Sequence, residues 1–236
     1  MSQDVYLPGV TGNENENSDL LTTATGLSLV FWGQIVEFVG QFLGLLFVFL
    51  VGPNILLNVE KLAENSPEMQ RFEEYFTLIP FIWVIMLVSV ILFLVGLVFC
   101  LTVPPKHVPR GWLWVAISII TGIVAGVVNN KGYICVGLVL LCGFSWIYFL
   151  KILAKTLDFD PLKKLASQFF GHSIFATVFL LGLSFATVWL ATAFYSGDSL
   201  LIAFMDVFIF HVITLALQLC HLMLLWKIVR YIRCGY

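Results

Sequence analysis

Gln34, Glu37 and Gln41 stand three and four residues apart inside the apolar stretch FWGQIVEFVGQFLGLLFVF, from Phe31 to Phe49. Glu37 shares its helix face with Gly33, Gly40 and Gly44, at steps of four, three and four. An ionisable group at membrane depth is costly and turns toward the protein interior or a polar cavity. Other polar groups stand in apolar runs further along: His172, Asp206, His211, Gln218 and His221. Such a set supports three chemistries. The side chains can hydrogen-bond one another and fix helix packing, each bond contributing on the order of 0.6 kcal/mol. They can hold a proton, an ion or a polar substrate. Two histidines, His172 and His221, can face each other as axial ligands of a haem.

Counting ~1.5 Å per residue places Glu37 and His221 on the order of 12–14 Å into the apolar layer, with His172 about a turn shallower. The candidate polar cluster is therefore Glu37, Gln34, Gln41, His172, His221 and Gln218. His211 shares a helix face with Gln218 but lies nearer the outer leaflet, and Asp206 falls at or beyond the outer boundary. The packing reading expects the cluster to be closed. The functional reading expects a polar cavity at the level of Glu37.

No catalytic residue emerges. There is no P-loop, no H-E-x-x-H and no glycine-rich dinucleotide fingerprint. A rhomboid-type intramembrane serine protease needs a G-x-S-G serine with a facing histidine. The strings Gly143-Phe144-Ser145-Trp146 and Gly182-Leu183-Ser184-Phe185 lack the second glycine, which leaves Ser145 and Ser184 as packing residues. A two-haem, cytochrome b561-like arrangement needs four membrane histidines, and His107 stands in a loop. Cys100, Cys135, Cys142, Cys220 and Cys234 include no C-x-x-C pair and mostly read as small hydrophobes. No cofactor and no metal is expected.

The elements that must position these groups are membrane helices. Of 236 residues, 60% are hydrophobic and 11% charged, against roughly 25% charged in an average soluble domain. Mean hydropathy is +0.99, more apolar surface than a soluble core absorbs, so lipid must cover it. The net charge of -2 and the lack of a basic stripe give no reason to expect nucleic acid. The expected partners are the lipid bilayer and a membrane-protein partner or second copy of the chain.

The fold expected is all-α: a polytopic integral membrane protein, a six-transmembrane-helix bundle with short loops and one extracytoplasmic amphipathic segment. Residues 1–26 read as a polar, acidic cytoplasmic tail, with GNENENSD as its most polar run. Residues 1–19 hold no Lys or Arg, so the first span is expected to stay as an uncleaved anchor. Residues 27–236 read as a single membrane domain, with spans at about 27–51, 78–103, 111–128, 133–150, 169–195 and 203–228. Gly52-Pro53 reads as the stop of the first span. NILLNVEKLAEN after it is the amphipathic segment, and Ser66-Pro67-Glu68 starts the next helix. Asn129-Asn130-Lys131-Gly132 makes the third and fourth spans an antiparallel hairpin. Asp160-Pro161 starts the fifth.

Small residues mark where backbones meet. Gly33, Gly40 and Gly44 share the Glu37 face of the first span, with Gly26 seven residues earlier. Ser118, Gly122 and Gly126 give the third span a similar face. The first span is therefore expected to be the enclosed one, with the others around it.

Nine basic residues, Lys106 to Arg233, fall on the side holding the tail and the C-terminus, against Lys61, Arg71 and Lys131 on the other. This bias places both termini in the cytoplasm, at the cell membrane. Trp32, Trp112, Trp114, Trp146 and Trp226 read as the cytoplasmic aromatic belt. The function expected is that of a non-enzymatic membrane protein: a scaffold, an accessory subunit or a protein of an uncharacterised family. A small transporter or proton- or ion-handling protein, and a single-haem redox protein, are the alternatives.

Overall fold

A computed structural model of the chain describes residues 14–58, 79–105, 108–128, 132–193 and 198–234. Within them the fold is all-α, with six helices and no strand: α1 (Glu14–Asn58), α2 (Ile79–Cys100), α3 (Gly111–Val127), α4 (Gly132–Thr156), α5 (Asp160–Ala193) and α6 (Asp198–Cys234). Five of the six are long and apolar enough to cross a membrane, and α3, at 17 residues, is apolar but shorter. Most of the expected amphipathic segment, the Ser66-Pro67 helix start and the Asn129–Lys131 link lie outside the described residues.

α1 corrects two expectations. It begins at Glu14, not near residue 27, and it passes through Gly52-Pro53 to Asn58. The early start follows from a stripe hidden in polar sequence: Leu20, Ala24, Leu27 and Val30 recur at helical spacing and are all buried. Between them, Thr22, Thr23 and Thr25 return their hydroxyls to the carbonyls of Ser18, Asp19 and Leu21 at 2.9, 2.9 and 3.1 Å. That hides their polarity within the helix. At Pro53 the helix passes a residue with no backbone N–H, so one intrahelical bond is missing. Unwinding in an apolar layer would strand several backbone groups, each costing several kcal/mol, so continuing the helix is the smaller loss.

The chain divides into two compact units. The first comprises Met1–Gly33, Ile91–His172 and Cys220–Tyr236, and the second Gln34–Val90 and Ser173–Leu219. α1, α2, α5 and α6 each contribute a segment to both, whereas α3 and α4 belong wholly to the first.

The first unit holds the principal core. Leu20, Leu27, Leu97, Phe149, Leu150, Leu153, Leu224, Leu225 and Ile228 pack there. At its closest point α1 crosses α2 glycine on glycine: a Cβ at Gly26 would lie 2.6 Å from the Gly96 carbonyl oxygen, and one at Gly96 equally close to that of Gly26. The α3–α4 hairpin closes on small residues. Ser118 Oγ donates to the Cys142 carbonyl at 3.0 Å, Cys135 Sγ to that of Ala125 at 3.5 Å, and a Cβ on Gly122 would meet Cys142 Sγ at 3.3 Å. After α4 the chain turns through Asp158, which has a left-handed φ of 53°. Lys163 Nζ then bridges Asp158 at 2.6 Å and Asp160 at 3.2 Å.

In the second unit α1 meets α2 through Gly40, where a Cβ would lie 3.2 Å from both Ile85 Cγ2 and Met86 Sδ. The expectation that α1 is the enclosed helix is corrected by its outer face. Trp32, Val39, Phe42, Leu43 and Leu46 are exposed, as are comparable rows on α2 and α5. A helix needs only one polar stripe sheltered, and the opposite face is free to meet lipid.

Candidate functional site

The polar site of the second unit is built from the Glu37 carboxyl outward. Glu37 is half-buried on α1. From the preceding turn Gln34 Nε2 donates to its Oε2 at 2.9 Å, and from the following turn Gln41 Nε2 donates to its Oε1 at 3.0 Å. Gln218, on α6, is a third hydrogen-bond partner of the same carboxyl. Gln34 and Gln218 are 9% and 8% exposed. A carboxylate offers about four lone-pair sites, and three amides engage them as water would outside the membrane. Gln34 and Gln41 thus hold the carboxyl from its own helix, and Gln218, named in the candidate cluster, reaches it from α6.

Two features of this site are chemically open. Gln41 Oε1 and Gln218 Oε1 are enclosed and have no hydrogen-bond partner. A buried acceptor left so costs about 1–3 kcal/mol. Moreover, the described stretches of this unit contain no Lys or Arg at all, so within the unit no described cation of the protein balances the carboxyl.

His221 and His172 belong to the first unit. His221 is buried, and the Trp146 indole N–H donates to its Nε2 at 3.1 Å. Its ring stacks on Phe169 with centroids 5.4 Å apart and planes at 9°. Trp146 in turn stacks on Phe149 and meets the edge of Phe93. Because Nε2 accepts, the neutral ring carries its proton on Nδ1. This corrects the aromatic belt: Trp146 is a core residue whose polar handle is satisfied by a histidine, whereas Trp32, Trp112 and Trp226 are exposed. His172 is exposed on α5. With one ring outward and the other's Nε2 already engaged, the two are not set as axial ligands of a haem. Among the described residues no group of three or more His, Cys, Asp or Glu is arranged to hold a metal ion. His211 is half-buried beside Phe210.

The packing residues divide the same way. Gly33, Gly40 and Ser118 are buried, and Gly122 stands close to Cys142. Gly44 and Gly126 would have nothing within 4 Å of a Cβ among the described residues. The residue that spacing missed is Gly96, the partner of Gly26. Its signal was its isolation, one glycine in the run ILFLVGLVFC, seven residues after the buried Ser89.

The chain matches no family model, no curated protein and no solved structure with which it was compared.

Proposed function

We propose that the chain is a multi-pass integral protein of the cell membrane, non-enzymatic in type, acting as a scaffold or accessory subunit with both termini cytoplasmic. The observation that supports this most is the use of its polar groups. Trp146 with His221 ties α4 to α6, Ser118 with Cys142 ties α3 to α4, and Glu37 with Gln218 ties α1 to α6. Each is a bond between helices, the kind that specifies packing. Ser145 Oγ is buried with no hydrogen-bond partner, so no base stands ready to activate it.

A second reading, a small transporter or ion-handling protein, draws support from the unpartnered amide oxygens beside Glu37. Flux measurements on purified chain in proteoliposomes separate the two. The scaffold reading expects no proton or cation flux above that of protein-free vesicles, with Glu37→Leu lowering the yield of folded protein. A flux that Glu37→Gln abolishes in a folded variant would replace it with the transporter.

A further inference from the structure

We infer that Glu37, Gln41 and Gln218 form a binding site for a monovalent metal cation, held between α1 and α6. The donors have the right chemistry. A carboxylate and two amide carbonyl oxygens are hard oxygen ligands, which suit alkali and alkaline-earth ions rather than soft transition metals. The oxygens are present and unused: Gln41 Oε1 and Gln218 Oε1 are enclosed without a hydrogen-bond partner. Both belong to amides already fastened to the carboxyl, Gln41 through Nε2 at 3.0 Å and Gln218 as its partner from α6. Each Oε1 is therefore carried on the same planar group that touches Glu37. Gln218 is 8% exposed, so its oxygen has no bulk water to fall back on.

Charge selects the valence. The described stretches of this unit, within Gln34–Val90 and Ser173–Leu219, carry no Lys or Arg. A single carboxylate is neutralised by one positive charge. A divalent ion would leave the site with a net charge in a low-dielectric layer, which is expensive. Gln34 completes the arrangement by donating to Oε2 at 2.9 Å, holding the carboxylate in orientation without supplying charge. The inference goes beyond the scaffold reading and does not require transport, because an ion that locks α1 to α6 serves a stationary protein as well as a carrier.

The test uses the full chain purified in detergent and compares its thermal midpoint in sodium, potassium and choline chloride at equal ionic strength. A ligand that binds only the folded state raises that midpoint saturably. The expected result is a saturable rise of several degrees in one alkali cation over choline, reduced to nothing in Glu37→Gln and in Gln218→Leu. Should either variant fail to fold, sodium-23 line broadening by the wild-type chain, reversed by excess potassium or lithium, provides the same readout without mutation. Equal midpoints in all three salts together with unbroadened sodium would overturn the proposal. So would a midpoint that responds to pH but to no metal cation, since the site would then hold a proton only. Absence of flux leaves binding intact, and absence of binding leaves the scaffold reading intact, so the two failures are distinguishable.

Discussion

At the scale of single residues, the strongest claim concerns a pair joined across 75 positions of sequence, Trp146 and His221. Both are buried, so neither can exchange its partner for water. Trp146→Phe keeps the stack on Phe149 and Phe169's neighbourhood apolar but leaves His221 Nε2 without its donor. The expected cost is about 1–3 kcal/mol, read from denaturant unfolding in mixed micelles. Pairing it with His221→Leu should cost less than the two single changes added together, because the orphaned acceptor is removed as well. Strict additivity would mean that the hydrogen bond contributes nothing. Asp158 sits at the opposite extreme. Lys163, by hydrogen bond and by charge, holds its carboxyl below the ordinary carboxylate range. A carboxyl with a lowered folded-state value stabilises above its unfolded value and loses that contribution as pH falls through the folded one. The pair is exposed, so solvent screens it. Asp158→Asn should thus leave the melting temperature at pH 7 nearly unchanged, and the small difference should begin to fade below about pH 4 and vanish as pH falls through the lowered folded-state value. A drop of many degrees at neutral pH would show that the bridge matters more than its exposure allows.

At the scale of helices, the glycines give opposite predictions at positions that look alike in sequence. At the α1–α2 crossing a Cβ on Gly96 would stand 2.6 Å from the Gly26 carbonyl oxygen and 2.8 Å from the Val30 nitrogen. Backbone cannot step aside as a rotamer can, so Gly26→Ala and Gly96→Ala should each cost about 1–3 kcal/mol or force the helices apart. Gly44→Ala and Gly126→Ala meet nothing within 4 Å among the described residues. There the greater helix propensity of alanine should hold or raise stability by about 0.5–1 kcal/mol. Unfolding of the four variants side by side checks both halves, and equal effects would overturn the crossing. The contrast also shows what was readable. Helix existence was legible, because long apolar runs in a bilayer have few alternatives. The α4–α5 break was legible at Asp160-Pro161. The extent of α1 was not, because Thr22, Thr23 and Thr25 hide their polarity in bonds to their own helix, and because Pro53 is tolerated. Glu37, Gln34, Gln41 and Gln218 were legible as polar residues in apolar runs, but not the way the amides clasp the carboxyl. Gly96 and the Trp146–His221 bond required knowing which helices touch, and no local pattern states that.

At the scale of the whole molecule, the open question is how many times the chain crosses, and it turns on α3. At ~1.5 Å per residue a helix of 17 residues reaches about 26 Å, a little less than the ~30 Å of a typical hydrocarbon core. Length alone would therefore permit five crossings, which would put the two ends of the chain on opposite sides. Packing argues for six. α3 lies against α4 through Ser118, Gly122 and Ala125, and α4, with 25 residues, is long enough to cross. A partner held along such a helix, its own surface carrying exposed Ile120, Ile123 and Val127, belongs in the same apolar layer. The basic residues split nine to three with six spans and also with five, so the charge bias favours a cytoplasmic C-terminus either way and leaves the count to packing. Two reporters decide it: single cysteines placed at Lys106 and at Asn130, one on each side of α3. The expected outcome is labelling of the Asn130 cysteine by an impermeant reagent from outside intact cells, with the Lys106 cysteine reached only after permeabilisation. Two cysteines that report the same side would reduce the crossings to five and remove the cytoplasmic placement of both ends.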